Sequence, residues 1–215
     1  MTEPFPREPA RQELQQGLAV LPLGDTVPVD PLLDYLTLLH RWNRAFNLSA
    51  VRDPMAMVPL HLLDSLSLLP YLEEPSLLDV GSGAGLPGIP LAICRPQMTV
   101  TVLDSNGKKT RFMEQVRLQL GLSGLNVVHQ RVEAFRPQAR FATICSRAFA
   151  RTDAFVTAAG AHLATDGVML AMKARFDATE ELRDLGSGWS TEALPLAVPG
   201  LDAQRTLVRL RRADH

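Results

Sequence analysis

The chain has few of the residues that mark disulfide-rich, metal-binding or membrane proteins. Its 215 residues include two cysteines, Cys94 and Cys145, and no cysteine–histidine cluster with zinc spacing. We expect both cysteines to be buried as small hydrophobic side chains. No apolar run reaches the roughly 18 residues that cross a bilayer, and the Pro-rich, acidic N-terminus does not resemble a signal peptide. The sequence therefore predicts a cytoplasmic protein with no metal site and no membrane partner.

A large excess of charge of one sign is also missing, since the formal net charge is -1. The distribution is uneven, however. Residues 1–106 contain 6 Lys/Arg and 12 Asp/Glu, whereas residues 107–215 contain 16 and 11. A basic half is compatible with a phosphate-rich substrate, and an ordinary solvated surface explains it equally well.

The most informative segment that is present reads SLLDVGSGAGLPGIP, over residues 76–90. A short apolar run ends at Asp79 and is followed by glycines at alternate positions, which let a ligand approach the backbone closely. A dinucleotide fingerprint would need a third glycine at Leu86. A carboxylate would repel a diphosphate but attract a cationic amine. S-adenosylmethionine has such an amine on its methionyl part. The alternatives are a structural turn without a ligand and, disfavoured by Leu86, a nicotinamide site.

The next apolar run ends at Asp104, about twenty residues after the glycines, where an acid that binds ribose hydroxyls is expected. Further on, strand and helix patterns alternate and finish in a hairpin. The pattern predicts an α/β fold with a seven-stranded, mostly parallel sheet and a terminal antiparallel hairpin, the architecture of class I S-adenosylmethionine-dependent methyltransferases. We expect an N-terminal helical appendage over residues 1–72 and a methyltransferase domain over residues 73–215, packed as one unit.

The fourth predicted strand ends in TICSRAFAR, where such enzymes often keep their acceptor chemistry. An Asn/Asp-Pro-Pro-aromatic motif for exocyclic amines is absent there, and so is a Pro-Cys nucleophile, since Ile144 precedes Cys145. Arg147 follows, at a strand end that binds ligands in open α/β sheets. An acceptor that needs no deprotonation, such as guanine N(7), would fit, with catalysis by in-line positioning and electrostatics.

Several segments together resemble the bacterial glucose-inhibited-division-B family of small-subunit rRNA guanine-N(7) methyltransferases. They are WNRAFNLSAVRDP, HLLDSLSLLP, LLDVGSGAGLPGIPLAI, VTVLDSNGKKTRFM, QRVEAF and SRAFA, and the terminal VPGLDAQRTLVRLRR is also similar. The resemblance implies methylation of one guanine in the decoding-region loop of 16S rRNA, with S-adenosylmethionine as donor and the small ribosomal subunit as partner. We expect a monomer and no DNA partner.

The resemblance also implies roles for particular residues. Gly81, Gly83 and Leu86 would line the methionyl and sulfonium region. Asp104 and Ser105 would hold the ribose side, Val132 and Glu133 would border the adenine, and Arg147 would lie beside the methyl group and the target base.

Four residues are candidates for contact with the substrate. His61 and Asp64 share a helix face and either close over the methyl-transfer site or make ordinary helix contacts. Asn47 either contacts RNA or caps its helix, and Lys173 is expected to contact phosphate from the end of the fifth strand. A methyltransferase for a small molecule or protein, and a binding module without turnover, are the competing functions.

Overall fold

A bundle of helices precedes the sheet in the computed structural model, which describes residues 4–23 and 27–213. The helical elements are α1 (Arg7–Val20), α2 (Val29–Phe46), a π-helix (Val58–Leu63) that continues as a helical turn (Asp64–Leu66), and a 3₁₀ turn (Leu69–Tyr71). The π-helix is notable because this geometry is rare and frequently occurs at functional sites.

A seven-stranded sheet follows. Its strands are β1 (Ser76–Val80), β2 (Thr99–Asp104), β3 (Leu125–His129), β4 (Phe141–Ser146), β5 (Leu163–Lys173), β6 (Trp189–Leu196) and β7 (Arg205–Arg212). The strand order is β3-β2-β1-β4-β5-β7-β6, with β1 to β5 parallel and β7 antiparallel to both of its neighbours. This confirms the predicted fold class.

The connecting helices are α3 (Gly88–Cys94), α4 (Gly107–Gln119), α5 (Thr152–Ala159) and the single turn α6 (Ala178–Glu181), with 3₁₀ turns at Val132–Ala134 and Gly160–His162. Because β1, β2 and β4 are parallel neighbours, their carboxyl ends meet at one edge of the sheet, where α/β folds bind ligands. The predicted site residues that follow these strands are thereby brought together.

The N-terminal helices pack on one face of the sheet. Leu32, Leu36 and Leu39 of α2 are fully buried and belong to the same apolar cluster as Phe112 of α4 and Val102 of β2. A second cluster, with α5, covers the opposite face. The apolar stripe of α2 therefore forms part of the main core, while the division at residue 72 stays a prediction. Among the described residues, no helix is both long and apolar enough to cross a membrane.

Candidate active site

The glycine segment forms a tight loop between β1 and α3. Gly81, Gly83 and Gly85 have φ of 73°, 62° and 88°, a left-handed conformation that glycine adopts without steric cost. The backbone N–H groups of Gly81 and Ser82 donate to the Leu103 carbonyl over 2.8 and 3.1 Å. A Cβ atom at position 81 would lie 2.7 Å from the Ala148 Cβ. The loop is thus fastened to the end of β2 and lies against the segment after β4.

Asp79 is fully buried beneath this loop. Its Oδ2 accepts a hydrogen bond from the Gly88 N–H at 2.9 Å, which ties β1 to the start of α3. Burial raises the pKa of the Asp79 carboxyl to about 7, against the opposing effect of the Gly88 hydrogen bond. The predicted contact between Asp79 and the donor's amine is therefore corrected, because a side chain without exposed surface supports the loop and does not face a ligand.

A cavity of about 310 Å³ opens between the glycine loop and the ends of β2, β3 and β4. Five predicted cofactor residues line it together, namely Gly81, Asp104, Ser105, Val132 and Glu133. Lys109 also lines the cavity, as do Gln130, Arg131 and Phe149, to which the sequence assigns no role. Gly83, Leu86 and Arg147 are not part of this lining, so their predicted cofactor contacts stay predictions.

The Asp104 carboxylate is held rigidly at the mouth of the cavity. Its Oδ2 accepts from the Gly83 N–H and its Oδ1 from the Asn106 N–H, both at 2.8 Å, and the Lys109 Nζ lies 3.8 Å from Oδ2. Each carboxylate oxygen keeps a further lone pair, so both can still accept from vicinal hydroxyl groups. The cavity suits S-adenosylmethionine, with acceptors for a ribose at Asp104, the apolar Val132 for an adenine and a Cβ-free wall at Gly81.

A charged cluster that joins three distant segments includes Arg147, which directly precedes the cavity-lining residue Ala148. The Asp64 carboxylate lies 3.1 Å from Nη1 of Arg147 and 3.4 Å from Nε of Arg205, and it is 2% exposed. The Arg147 Nη2 also donates to the Leu60 carbonyl at 3.3 Å. Arg205 begins β7 and was not predicted, because only tertiary structure brings the terminal hairpin to the π-helix segment. Asp64 is enclosed by the two guanidinium groups, which supports a role in positioning them rather than the predicted contact with substrate.

His61 lies in the π-helix next to this cluster. Its Nε2 is 2.9 Å from the Ser49 Oγ, and burial lowers the pKa of the imidazole to about 4, so the ring is neutral at pH 7. The Asn43 side chain fastens the loop that carries Ser49, because it accepts from the Ser49 N–H at 2.8 Å and donates to the Val51 carbonyl at 2.9 Å. Asn43 is therefore a structural residue, and it links the end of α2 to the charged cluster.

A family model described as "GidB: rRNA small subunit methyltransferase G" matches residues 29–208. The chain belongs to this family. Two similar relatives are both called ribosomal RNA small subunit methyltransferase G. The protein from Marinobacter nauticus is 47% identical over 98% of both chains, and the one from Chromobacterium violaceum is 51% identical over 92% of this chain and 96% of its own.

Solved structures support the fold of this family member. The glycopeptide N-methyltransferase MtfA, complexed with S-adenosyl-L-methionine, matches with a TM-score of 0.59 and 14% identity, over 71% of this chain and 95% of its own. TrmN from Thermus thermophilus matches with a TM-score of 0.56 and 17% identity, over 81% of this chain and 53% of its own. This family member therefore shares its fold with a methyltransferase whose structure contains S-adenosyl-L-methionine.

Two substrate predictions for this methyltransferase have different outcomes. Lys173 is 5% exposed, and its Nζ donates to the Phe149 and Ala150 carbonyls at 3.0 and 2.9 Å and pairs with Glu181 at 2.6 Å. The predicted phosphate contact is wrong, because all three ammonium donors are already used. Asn47 is exposed at the end of α2 with φ of 50° and accepts from Arg52, so it caps the helix, and its contact with RNA stays a prediction.

Proposed function

We propose that this chain transfers a methyl group from S-adenosylmethionine to N(7) of one guanine in the decoding-region loop of 16S rRNA. The family description and the names of the relatives support a small-subunit rRNA substrate. The observation that carries the proposal is the pairing of a donor-sized cavity with the Arg147 cluster at the same edge of the sheet. We expect a monomer that acts in the cytoplasm.

Residues around the cavity would hold the donor. Asp104 would accept from the ribose hydroxyls, Val132 would contact the adenine, and Glu133 and Ser105 would flank these groups at the cavity wall. The donor supplies an electrophilic methyl group on a sulfonium. The part of the protein is to fix this group in line with the guanine nitrogen and to exclude water from it.

The chemistry proposed for guanine N(7) needs no general base, because that nitrogen attacks with a free lone pair. Neither acid at the site would act as a general base, since Asp79 is buried under the loop and Asp64 is paired with Arg147 and Arg205. The two guanidinium groups outnumber the one carboxylate, so the cluster has an excess positive charge. That charge would attract the RNA and hold the base through N–H donors of Arg147.

The decisive experiment uses methyl-labelled S-adenosylmethionine and small ribosomal subunits from a strain that lacks the enzyme. After incubation with the purified protein, the position of the label is mapped in the 16S rRNA. One labelled guanine, with the label at N(7), is expected. Label on another nucleotide or on a ribosomal protein would overturn the acceptor assignment, and absence of label on the subunit with intact donor binding would point to a small-molecule or protein acceptor.

A further inference from the structure

The exposed end of α2 presents an aromatic ring and unneutralised positive charge. Phe46, the last residue of α2, is 44% exposed and lies on Trp42 with ring centroids 5.1 Å apart. Trp42 packs in turn on Phe112 of α4, at 5.6 Å. The ring of Phe46 is therefore held at the surface by a rigid aromatic layer and is not a loose side chain at a frayed helix end.

Three arginines near the end of α2 have no acidic partner among the described residues. Arg41 and Arg44 are exposed, and within the described part of the chain neither makes a hydrogen bond or an ion pair. Arg52 is exposed and donates only to neutral oxygens, the Asn43 carbonyl at 2.7 Å and the Asn47 side chain. Its neighbour Asp53 accepts a hydrogen bond from the Met55 N–H at 2.9 Å.

A groove runs beside the two free arginines. Arg41 and Arg44, one helical turn apart, line a cavity of about 590 Å³ together with His40 and Phe5, and none of its lining residues is acidic. At about 100° per residue, Phe46 lies roughly 140–160° around α2 from Arg41 and Arg44, so the charge and the exposed ring flank the end of the helix on opposite sides. A single strand of RNA that passes over this end can use both, because its phosphates bind cations and its unstacked bases stack on aromatic rings.

A chain of contacts connects the end of α2 to the charged cluster of the active site. Asn43 holds Ser49, Ser49 contacts His61, and the neighbouring Leu60 carbonyl accepts from Arg147. We propose that Arg41, Arg44, Phe46, Asn47 and Arg52, the α2-end surface, bind the single-stranded rRNA that flanks the target guanine, with a base on Phe46 and phosphates on the arginines. This inference rests on the proposed rRNA substrate and deepens it.

The test compares variants of the α2-end surface with matched controls. Arg41→Glu/Arg44→Glu and Phe46→Ala alter the surface. Arg140→Glu and Leu118→Ala are the controls. Arg140 is exposed and directly precedes β4, at the amino ends of the parallel strands, and Leu118 is 63% exposed near the end of α4. Donor affinity, binding of unmethylated small subunits, binding of protein-free 16S rRNA at several salt concentrations, and methyl transfer are measured for each.

We expect the double arginine variant to bind the RNA at least tenfold more weakly, with the slope of log K against log salt reduced by about 1.4 for two lost phosphate contacts. Phe46→Ala should bind about fivefold or more weakly, with little change in its salt slope. Donor affinity should be unchanged, and the controls should stay within about twofold of wild type. An Arg41→Gln/Arg44→Gln variant, with a smaller effect of the same kind, replaces the charge reversal if that protein does not fold.

Three outcomes would overturn the inference. If the variants bind rRNA as tightly as their controls, the α2-end surface does not contact the RNA. Weaker binding to subunits with unchanged binding to protein-free rRNA would assign the surface to a ribosomal protein. An unchanged salt slope in the arginine variants would exclude phosphate contacts. Failure of the wild type to methylate the subunit would instead overturn the proposed function. The RNA-binding measurements test the inference separately from this activity.

Discussion

One methyl group at position 81 should be enough to damage the donor cavity. In Gly81→Ala the added Cβ would lie 2.7 Å from that of Ala148, at a φ of 73° that L-residues avoid. Gly121→Ala is the matched control, because it has a φ of 63° and nothing within 4 Å of the added Cβ. We expect Gly121→Ala to lose about 1–2 kcal/mol of stability from its backbone conformation, and Gly81→Ala to lose more because of the added contact. Only Gly81→Ala should bind S-adenosylmethionine at least tenfold more weakly by calorimetry. Equal donor affinities of the two variants would show that Gly81 does not lie against the bound donor.

The carboxylate of Asp64 should act through the arginines that it holds. Asp64→Asn keeps the shape but leaves Arg147 and Arg205 without their shared counter-ion. We expect a loss of tenfold or more in kcat, with a smaller change in donor affinity. Ser67→Ala is the control, because it removes a hydrogen bond of 2.7 Å to the Asp64 backbone in the same helical turn and should lower stability only.

A double-variant cycle separates positioning from a direct role for Asp64. If the carboxylate acts through Arg147, adding Asp64→Asn to Arg147→Lys should reduce kcat much less than it does in the wild-type protein. Losses that simply multiply would show that the two residues act independently, which contradicts the positioning role.

Two buried titratable groups should give opposite pH dependences of stability. The pKa of Asp79 is raised from 3.8 to about 7, so the folded state binds more protons than the unfolded state between those values, and stability falls as pH rises. The pKa of His61 is lowered from 6.5 to about 4, so between those values the unfolded state binds more protons, and stability rises with pH. Each group contributes a slope of up to about 1.4 kcal/mol per pH unit within its window.

The two contributions oppose each other between about pH 4 and 6.5, and single substitutions should separate them. The free energy of unfolding, measured with urea across this range, should rise more steeply with pH in Asp79→Asn than in wild type. In His61→Gln it should instead fall with rising pH. Parallel curves for the wild type and both variants would show that neither group titrates differently in the folded and unfolded states.

At the scale of elements, Lys173 connects β5 to two other parts of the fold. Its ammonium binds carbonyls of the segment between β4 and α5 and pairs with Glu181 of α6, whose carboxylate also accepts from Thr152 at 2.8 Å. Lys173→Met should destabilise the protein by about 3–5 kcal/mol, because it leaves a buried carboxylate without its partner. The measurement is urea unfolding of this variant.

A second substitution distinguishes this structural role from a phosphate contact. Lys173→Met/Glu181→Leu removes both charges together and should recover much of the lost stability. Both variants should keep the wild-type salt dependence of RNA binding. A shallower salt slope in these variants than in the wild type would show that Lys173 contacts phosphate.

Sequence patterns predicted elements well and tertiary pairing poorly. The parallel strands could be predicted because strands buried on both faces are short apolar runs, and Asp104 could be placed because it ends one of them. Arg205 and Ser49 could not be predicted, since their partners Asp64 and His61 come from other segments and no local spacing encodes the pairing. Lys173 was misassigned for a related reason. A lysine at a strand end has the same pattern whether it faces solvent or carbonyl groups.

At the scale of the whole molecule, the N-terminal helices complete the core on which the sheet depends. Four side chains from the N-terminal segments are fully buried in one cluster with Val102 of β2. They are Leu32 and Leu36 of α2, Met57, and Leu62 of the π-helix. The Tyr35 hydroxyl reaches from α2 to the Ala84 carbonyl in the glycine loop, at 2.9 Å. The helices therefore both cover the sheet and fix the loop at the donor cavity, so their packing should be inseparable from donor binding.

The two tryptophans allow a direct test of this unity, since Trp42 lies in α2 and Trp189 begins β6 at the far edge of the sheet. In Trp189→Phe the remaining fluorescence reports on the helices, and in Trp42→Phe it reports on the terminal hairpin. Because the core is continuous, each variant should show the same urea midpoint by fluorescence and by far-ultraviolet circular dichroism. S-adenosylmethionine should raise both midpoints together. A fluorescence transition of Trp42 that precedes the loss of circular dichroism would show that residues 1–72 unfold as a separate unit.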